Sequence, residues 1–150
     1  MILYFDTSAV IKRYVDEPQA EEVRYVYLQA RAVCTHLITY AETLAGLAKA
    51  MRMGRLASER LPVLVEQVDK DWTNLEVVAP EITLIRRAGH LALRYPLRGF
   101  DAVHLAAAER VFNSVVSLSN FQLVGFDTHM RDAATALGIM IYPSQIVVPT

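Results

Sequence analysis

The 150-residue chain is 53% hydrophobic and sets 15 basic against 16 acidic side chains, a net charge of −1. That length fits one domain spanning 1–150, and a chain of this size hides about 68–70% of its unfolded surface without a disulfide framework or a structural metal. The single cysteine, Cys34, excludes an internal bridge and a multi-cysteine zinc site, and it predicts a reducing, cytoplasmic setting. The opening MILYFDTSAV has no basic n-region, Asp6 closes its apolar stretch at once, and no uncharged run nears the ~18 residues of a membrane span. Near-neutrality argues against nucleic-acid binding by gross charge, yet leaves room for a basic stripe beside an acidic pocket. Of the 15 cations 12 are arginine, whose planar fork suits phosphate.

The short apolar run Ile2 to Phe5 predicts a first buried strand, punctuated by Asp6-Thr7-Ser8. Ser8 to Val15 reads as a short helix broken by Asp16-Glu17-Pro18, and Gln19 to Ala32 as a second carrying Val23, Val26, Tyr27 and Ala30 on one face. Val33 to Thr35 is a second strand. Leu44, Leu47, Ala48 and Met51 recur at helical spacing from Thr39 to Met53, with Gly54 where a C′ glycine belongs. A helix from about Leu56 to Trp72 has Pro62 at an entry or kink. Leu75 to Ala79 reads as a third strand, and Glu81 to Tyr95 as a helix turning Leu84, Ile85, Ala88, Leu91 and Ala92 inward. A helix over Asp101 to Phe112, a loop over Asn113 to Asn120, a strand over Gln122 to Phe126, a helix over Thr128 to Leu137 and a strand over Ile139 to Tyr142 complete the pattern. Pro143 to Thr150 forms a tail without a clear pattern. Short buried strands separated by helices imply an α/β fold with a five-stranded parallel sheet covered on both faces.

Four carboxylates stand where this pattern does not need them. Asp6 ends the first strand, Glu42 lies in the first turn of an Ala/Leu helix, Asp101 opens DAVHLAAAE, and Asp127 ends QLVGF. Strand ends and the helix starts after them line one crevice of an open parallel sheet, so all four can converge. Taken singly, Asp101 and Asp127 also read as helix caps, Asp6 as an Asx turn and Glu42 as a charge favourable to a helix N-terminus. Gathered carboxylates repel, and a shared proton or a hard divalent cation resolves the repulsion. Oxygen ligands without His or Cys at ligand spacing favour Mg²⁺ or Mn²⁺ over zinc, and such an ion suits phosphodiester hydrolysis.

The segments LYFDTSAVIKRYVDEP, TYAETLAGLAKA, LRGFDAVHLAAAE and LVGFDTHMRDAA resemble, in order, the four acidic blocks of the PIN-domain family, specifically its VapC-type toxin ribonucleases. The resemblance implies a three-layer α/β/α sandwich with strand order 3-2-1-4-5. It also implies an Mg²⁺- or Mn²⁺-dependent endoribonuclease acting as the toxin of a type II toxin–antitoxin pair, with RNA such as tRNA or rRNA as substrate. Asp6, Glu42, Asp101 and Asp127 fall on the family's catalytic and metal-binding quartet. Asp6 and Asp101 would be the principal metal ligands, Glu42 would bind metal or orient the attacking water, and Asp127 would complete the shell. Ser8 matches a supporting hydroxyl near the first acid. Gly125 departs from the pattern, since many members carry Thr or Ser there, and Thr128 is the residue placed to substitute. The expected partners are a VapB-like antitoxin whose C-terminal segment covers the pocket, and a second copy in a homodimer.

Arg87, His90, Arg94 and Arg98 follow steps of three, four and four, so they share a face if their helix persists, and they point toward Asp101. With Lys12 and Arg13 these arginines are candidate RNA-phosphate contacts, against the plainer reading of solvated helix faces. His104, one turn after Asp101, reads as a packed, hydrogen-bonded residue; His129 lies nearer the rim, and His36 is the weakest histidine candidate. Tyr25, Tyr27, Trp72 and Phe121 suit base stacking or the core equally. Asp132 reads as outward-facing. Alternatives are a PIN-type nuclease in RNA processing or branched-DNA cleavage without an antitoxin, and a catalytically inactive scaffold. A receiver-like phosphoacceptor fits poorly, because no lysine follows Lys70.

Overall fold

The computed structural model describes residues 1–115, 117 and 120–146. The expected loop therefore lies partly, and the last four residues of the tail wholly, outside the described residues. Five strands, β1 (Ile2–Phe5), β2 (Ala32–His36), β3 (Glu76–Val78), β4 (Phe121–Val124) and β5 (Ile141–Tyr142), form one parallel sheet in the order β3-β2-β1-β4-β5. Among the described residues seven helices connect them: α1 (Thr7–Lys12), α2 (Ala20–Gln29), α3 (Thr39–Arg52), α4 (Arg60–Trp72), α5 (Ile82–Arg94), α6 (Gly99–Ser114) and α7 (Thr128–Ala136). The connectivity runs from β1 outward to β3, then returns across β1 to β4. The sheet's switch point thus lies beside β1, where open α/β folds place their ligand crevice.

Alternation along the strands divides the core into two layers. Leu3, Phe5, Val33 and Val124 pack with α1 to α4, whereas Tyr4, Cys34, Phe121 and Leu123 pack with α5, α6 and α7. Each fully buried Leu or Phe in these layers contributes roughly 1.5–3 kcal/mol of transfer free energy. Pro62 sits in the first turn of α4, where its missing N–H costs no helical bond. Gly46 is where α3 passes α1, and a Cβ there would strike the Ile11 side chain. Gly54 and Gly138 end α3 and α7 in left-handed conformations, at φ 73° and 78°.

Three expectations need correction. Ile85 does not turn inward: on α5, Leu84, Ala88 and Leu91 fill the buried stripe, and Ile85 is 43% exposed. α6 begins at Gly99, so Asp101 lies inside its first turn and Arg98 takes the cap position. α5 ends at Arg94, which breaks the stripe expected to run through Arg98.

Candidate functional site

β1 delivers Asp6 to the crevice as the cap of α1. Its Oδ1 accepts the Ala9 N–H at 2.8 Å and the Ser8 hydroxyl at 2.7 Å, while its own N–H continues the ladder to Val124 O. These bonds hold one oxygen; the other faces Gly125, where a Cβ would stand 2.8 Å from Oδ2. Asp6 is only 5% exposed, and burial, reinforced by the charge of Asp101, raises its carboxyl above the ordinary value against the pull of the Ser8 and Ala9 hydrogen bonds.

Glu42 reaches the same crevice from α3. Its placement begins with Thr35, whose buried hydroxyl donates to Phe5 O and lies 2.8 Å from the Thr39 hydroxyl, joining the end of β1 to the start of α3. Glu42 Oε1 accepts the Thr7 hydroxyl at 2.7 Å and lies 2.9 Å from His104 Nε2. Burial alone would raise this carboxyl, but the hydrogen bonds from His104 and Thr7, together with the electrostatic pull of His104 and His36, hold Glu42 below its ordinary value.

Asp101 and Asp127 form the rim. Asp101 accepts Arg98 Nε at 2.9 Å, with Arg98 83% exposed. Asp127 caps α7 by accepting the Met130 N–H at 2.9 Å. Three of the acids act on one neighbour, Asp101, Asp127 and Glu42 all raising Arg98, and Asp101 also raises Asp6. Thr128 is exposed at the start of α7, and Ser8 is engaged by Asp6. Alongside runs an apolar cleft of about 580 Å³ between α5 and α6, lined by Ile85, Ala88, Ala92 and Phe100, with Glu42 and Asp101 also on its wall.

The basic candidates divide sharply. Lys12 is 8% exposed, pairs with Glu17 at 2.9 Å and lies over the Phe126 ring. Arg13 pairs with Asp71 at 3.0 Å and stacks on Tyr27 at 3.5 Å. Arg87 grips Glu109 with two bonds of 2.7 Å. In these three the charge is already matched within the fold, which counts against a phosphate contact; Arg94 and Arg98 are exposed, and Arg98, on the cleft wall, is itself paired with Asp101. Of the aromatic candidates, Phe121 is fully buried, Trp72 packs edge-on against Tyr40, and Tyr25 is 65% exposed. His129 and Asp132 are exposed, and His36 is buried.

Sequence reasoning missed Thr7, Tyr4 and Arg131. Arg131 is 6% exposed and donates to the carbonyls of Gly125 and Pro143, tying the turn after β4 to the chain after β5. The available signal for Tyr4 was its phenol in the middle of an otherwise apolar first strand, on the face opposite Leu3 and Phe5.

The donor chemistry fits a hard divalent cation: carboxylate oxygens only, with Asp6 Oδ2 beside a notch that a side chain at 125 would fill. Among the described residues, no three His, Cys, Asp or Glu side chains are already gathered as a metal-binding group. The fit is therefore one of donor type and shared crevice.

Residues 3–136 match the PIN domain profile. The chain belongs to the PIN-domain family. Ribonuclease VapC46 of Mycobacterium tuberculosis H37Rv is 31% identical over 143 residues, covering 93% of this chain and 95% of that protein. Ribonuclease VapC45 of M. tuberculosis CDC 1551 is 29% identical over 145 residues, covering 97% of each. A toxin–antitoxin complex from Klebsiella pneumoniae contains a chain of the same fold, with a TM-score of 0.65, 16% identity, and coverage of 97% and 99%. Among the described residues no helix is long and apolar enough to cross a membrane.

Proposed function

We propose that this PIN-domain protein is the endoribonuclease toxin of a type II toxin–antitoxin pair. The observation that carries the reading is the set of four carboxylates, Asp6, Glu42, Asp101 and Asp127, at the carboxyl edge of the sheet beside its switch point, within a chain related along nearly its whole length to VapC ribonucleases. Asp6 and Asp101 are the principal ligands for Mg²⁺ or Mn²⁺, with Glu42 and Asp127 completing the set. When bound, such a cation supplies Lewis-acid stabilisation of charge on the phosphoryl oxygens and an activated water.

The protein's own groups supply the rest. Glu42, held ionised by its two donors, orients the attacking water in line with the scissile phosphodiester. Asp6 is fixed through Oδ1 and presents Oδ2. Arg98 and Arg94, free of burial, meet RNA phosphates at the rim. A VapB-like antitoxin covers the acidic pocket, and the apolar cleft between α5 and α6 gives its segment a surface on which to lie; the Klebsiella chain of the same fold is itself part of a toxin–antitoxin complex. The toxin acts as a homodimer in the cytoplasm.

The test incubates antitoxin-free protein with total RNA in Mg²⁺ or Mn²⁺, beside an EDTA control and the Asp6→Asn and Asp101→Asn variants. Discrete fragments that require both metal and carboxylates support the reading. Metal binding by wild type without cleavage of any RNA would instead favour an inactive scaffold, and cleavage of branched DNA alone would favour a structure-specific DNA nuclease.

A further inference from the structure

Behind Glu42 lies a set of buried polar groups that the four-carboxylate site does not use. Tyr4 is fully buried, and its hydroxyl lies 3.0 Å from His104 Nδ1. The other ring nitrogen, Nε2, lies 2.9 Å from Glu42 Oε1 and 3.1 Å from Thr7 Oγ1, and Thr7 donates to the same Oε1 at 2.7 Å. The imidazole is packed edge-on by Tyr4 and by His36, at centroid distances of 6.1 and 6.5 Å, which opposes rotation of the ring.

The direction of each bond follows from proton accounting. A phenol is protonated at neutral pH, and the fully buried Tyr4 O–H needs an acceptor. His104 Nδ1 is the acceptor at hand. A ring nitrogen that accepts carries no hydrogen, so the neutral imidazole bears its proton on Nε2. That proton and the Thr7 hydroxyl both point at Glu42 Oε1.

We infer that His104 is a positioning residue: held by Tyr4 as the Nε2–H tautomer, it acts with Thr7 to pin Glu42 through Oε1, so that Glu42 serves the site through Oε2 alone. Two donors on one oxygen remove rotamer freedom from a long side chain and fix which lone pairs face the crevice. What Glu42 does with Oε2 rests on the nuclease reading proposed above; the pinning itself does not.

Two measurements decide it separately. In a long-range ¹⁵N–¹H correlation spectrum of the full chain at neutral pH, wild-type His104 is expected as the Nε2–H tautomer, with Tyr4→Phe admitting the Nδ1–H form. A wild-type ring found as Nδ1–H or doubly protonated overturns the inference. RNA-cleavage kinetics and Mn²⁺ calorimetry then compare His104→Asn, which leaves a polar partner for Tyr4 but has no donor at the Nε2 position, with His104→Gln, whose amide N–H extends toward Glu42. The Asn variant is expected to lose roughly 10–100-fold in kcat and Mn²⁺ affinity at near wild-type KM and melting temperature, with most of the loss restored in the Gln variant. Equal losses in both, or losses that follow the melting temperature, overturn it. If wild type leaves every RNA intact, the nuclease reading falls and the spectrum still decides the tautomer.

Discussion

The inner wall of the acidic crevice and its outer rim are built on different principles. Asp6 and Glu42, on the wall, each have one oxygen held by two donors inside the fold, and both carboxyls are displaced from their ordinary values, in opposite directions. Asp101 and Asp127, on the rim, stand in the first turn of one helix and at the cap of another. Their partners are a largely exposed arginine and a backbone N–H. The contrast separates a preorganised half, whose geometry is set before any ligand arrives, from an adjustable half that can follow a ligand at little cost. A hydrated cation meeting such a site would find the wall already in place.

The largest effect expected from breaking either half is on catalysis. Asp6→Asn and Asp101→Asn should each lower RNA cleavage on the order of 10²–10³-fold, because each removes charge from the same small site. Near wild-type turnover in Asp101→Asn would show that the rim is dispensable. Gly125→Thr tests the wall by crowding: its Cβ would meet Asp6 Oδ2 and Met130 Cε, both at 2.8 Å. A stability loss of about 1–3 kcal/mol in urea unfolding is expected, with reduced cleavage.

The opposite displacements on the wall predict opposite thermal shifts in metal-free protein. A raised Asp6 costs the fold stability as pH climbs from the ordinary carboxylate range through its higher folded value, and above that window the cost is complete. A depressed Glu42 contributes stability at neutral pH that disappears as pH falls through its lower folded value. At pH 7.5 in EDTA, Asp6→Asn should therefore melt higher than wild type and Glu42→Gln lower; shifts of the same sign would dissolve the distinction. The smallest effect belongs to the rim. Arg98→Gln should reduce the slope of log RNA affinity against log salt by about 1 without moving the melting temperature, because Arg98 is 83% exposed and held by a single bond to Asp101, whereas Arg87→Gln, at a cation held by two bonds to Glu109, should leave the slope unchanged.

The strands, the parallel sheet and the positions of the four acids were legible because each leaves a local mark: a short apolar run, a period of two or 3.6, a carboxylate where hydrophobics stop. Ile85 was misjudged because a 3.6-residue period admits a wider stripe than α5 actually buries. Arg98 left its expected face because Tyr95 adopts an extended conformation at the end of α5, which no spacing rule reveals. Arg13 looked like a free cation because its partner, Asp71, is 58 positions away in the chain. The Tyr4–His104–Glu42 chain was hidden for the same reason: its members are local to nothing but the folded sheet.

The position of β1 between β2 and β4 has a consequence for synthesis. Asp6 is synthesised 121 positions before Asp127, yet its strand pairs with β4, whose following turn carries Gly125 and Asp127. At translation rates of about 5–20 residues per second, the two sides of the crevice are separated by on the order of ten seconds. A nascent chain thus cannot close the acidic crevice until β4 has been made. The strand order thereby makes the crevice a late product of synthesis, although its first carboxylate is made early.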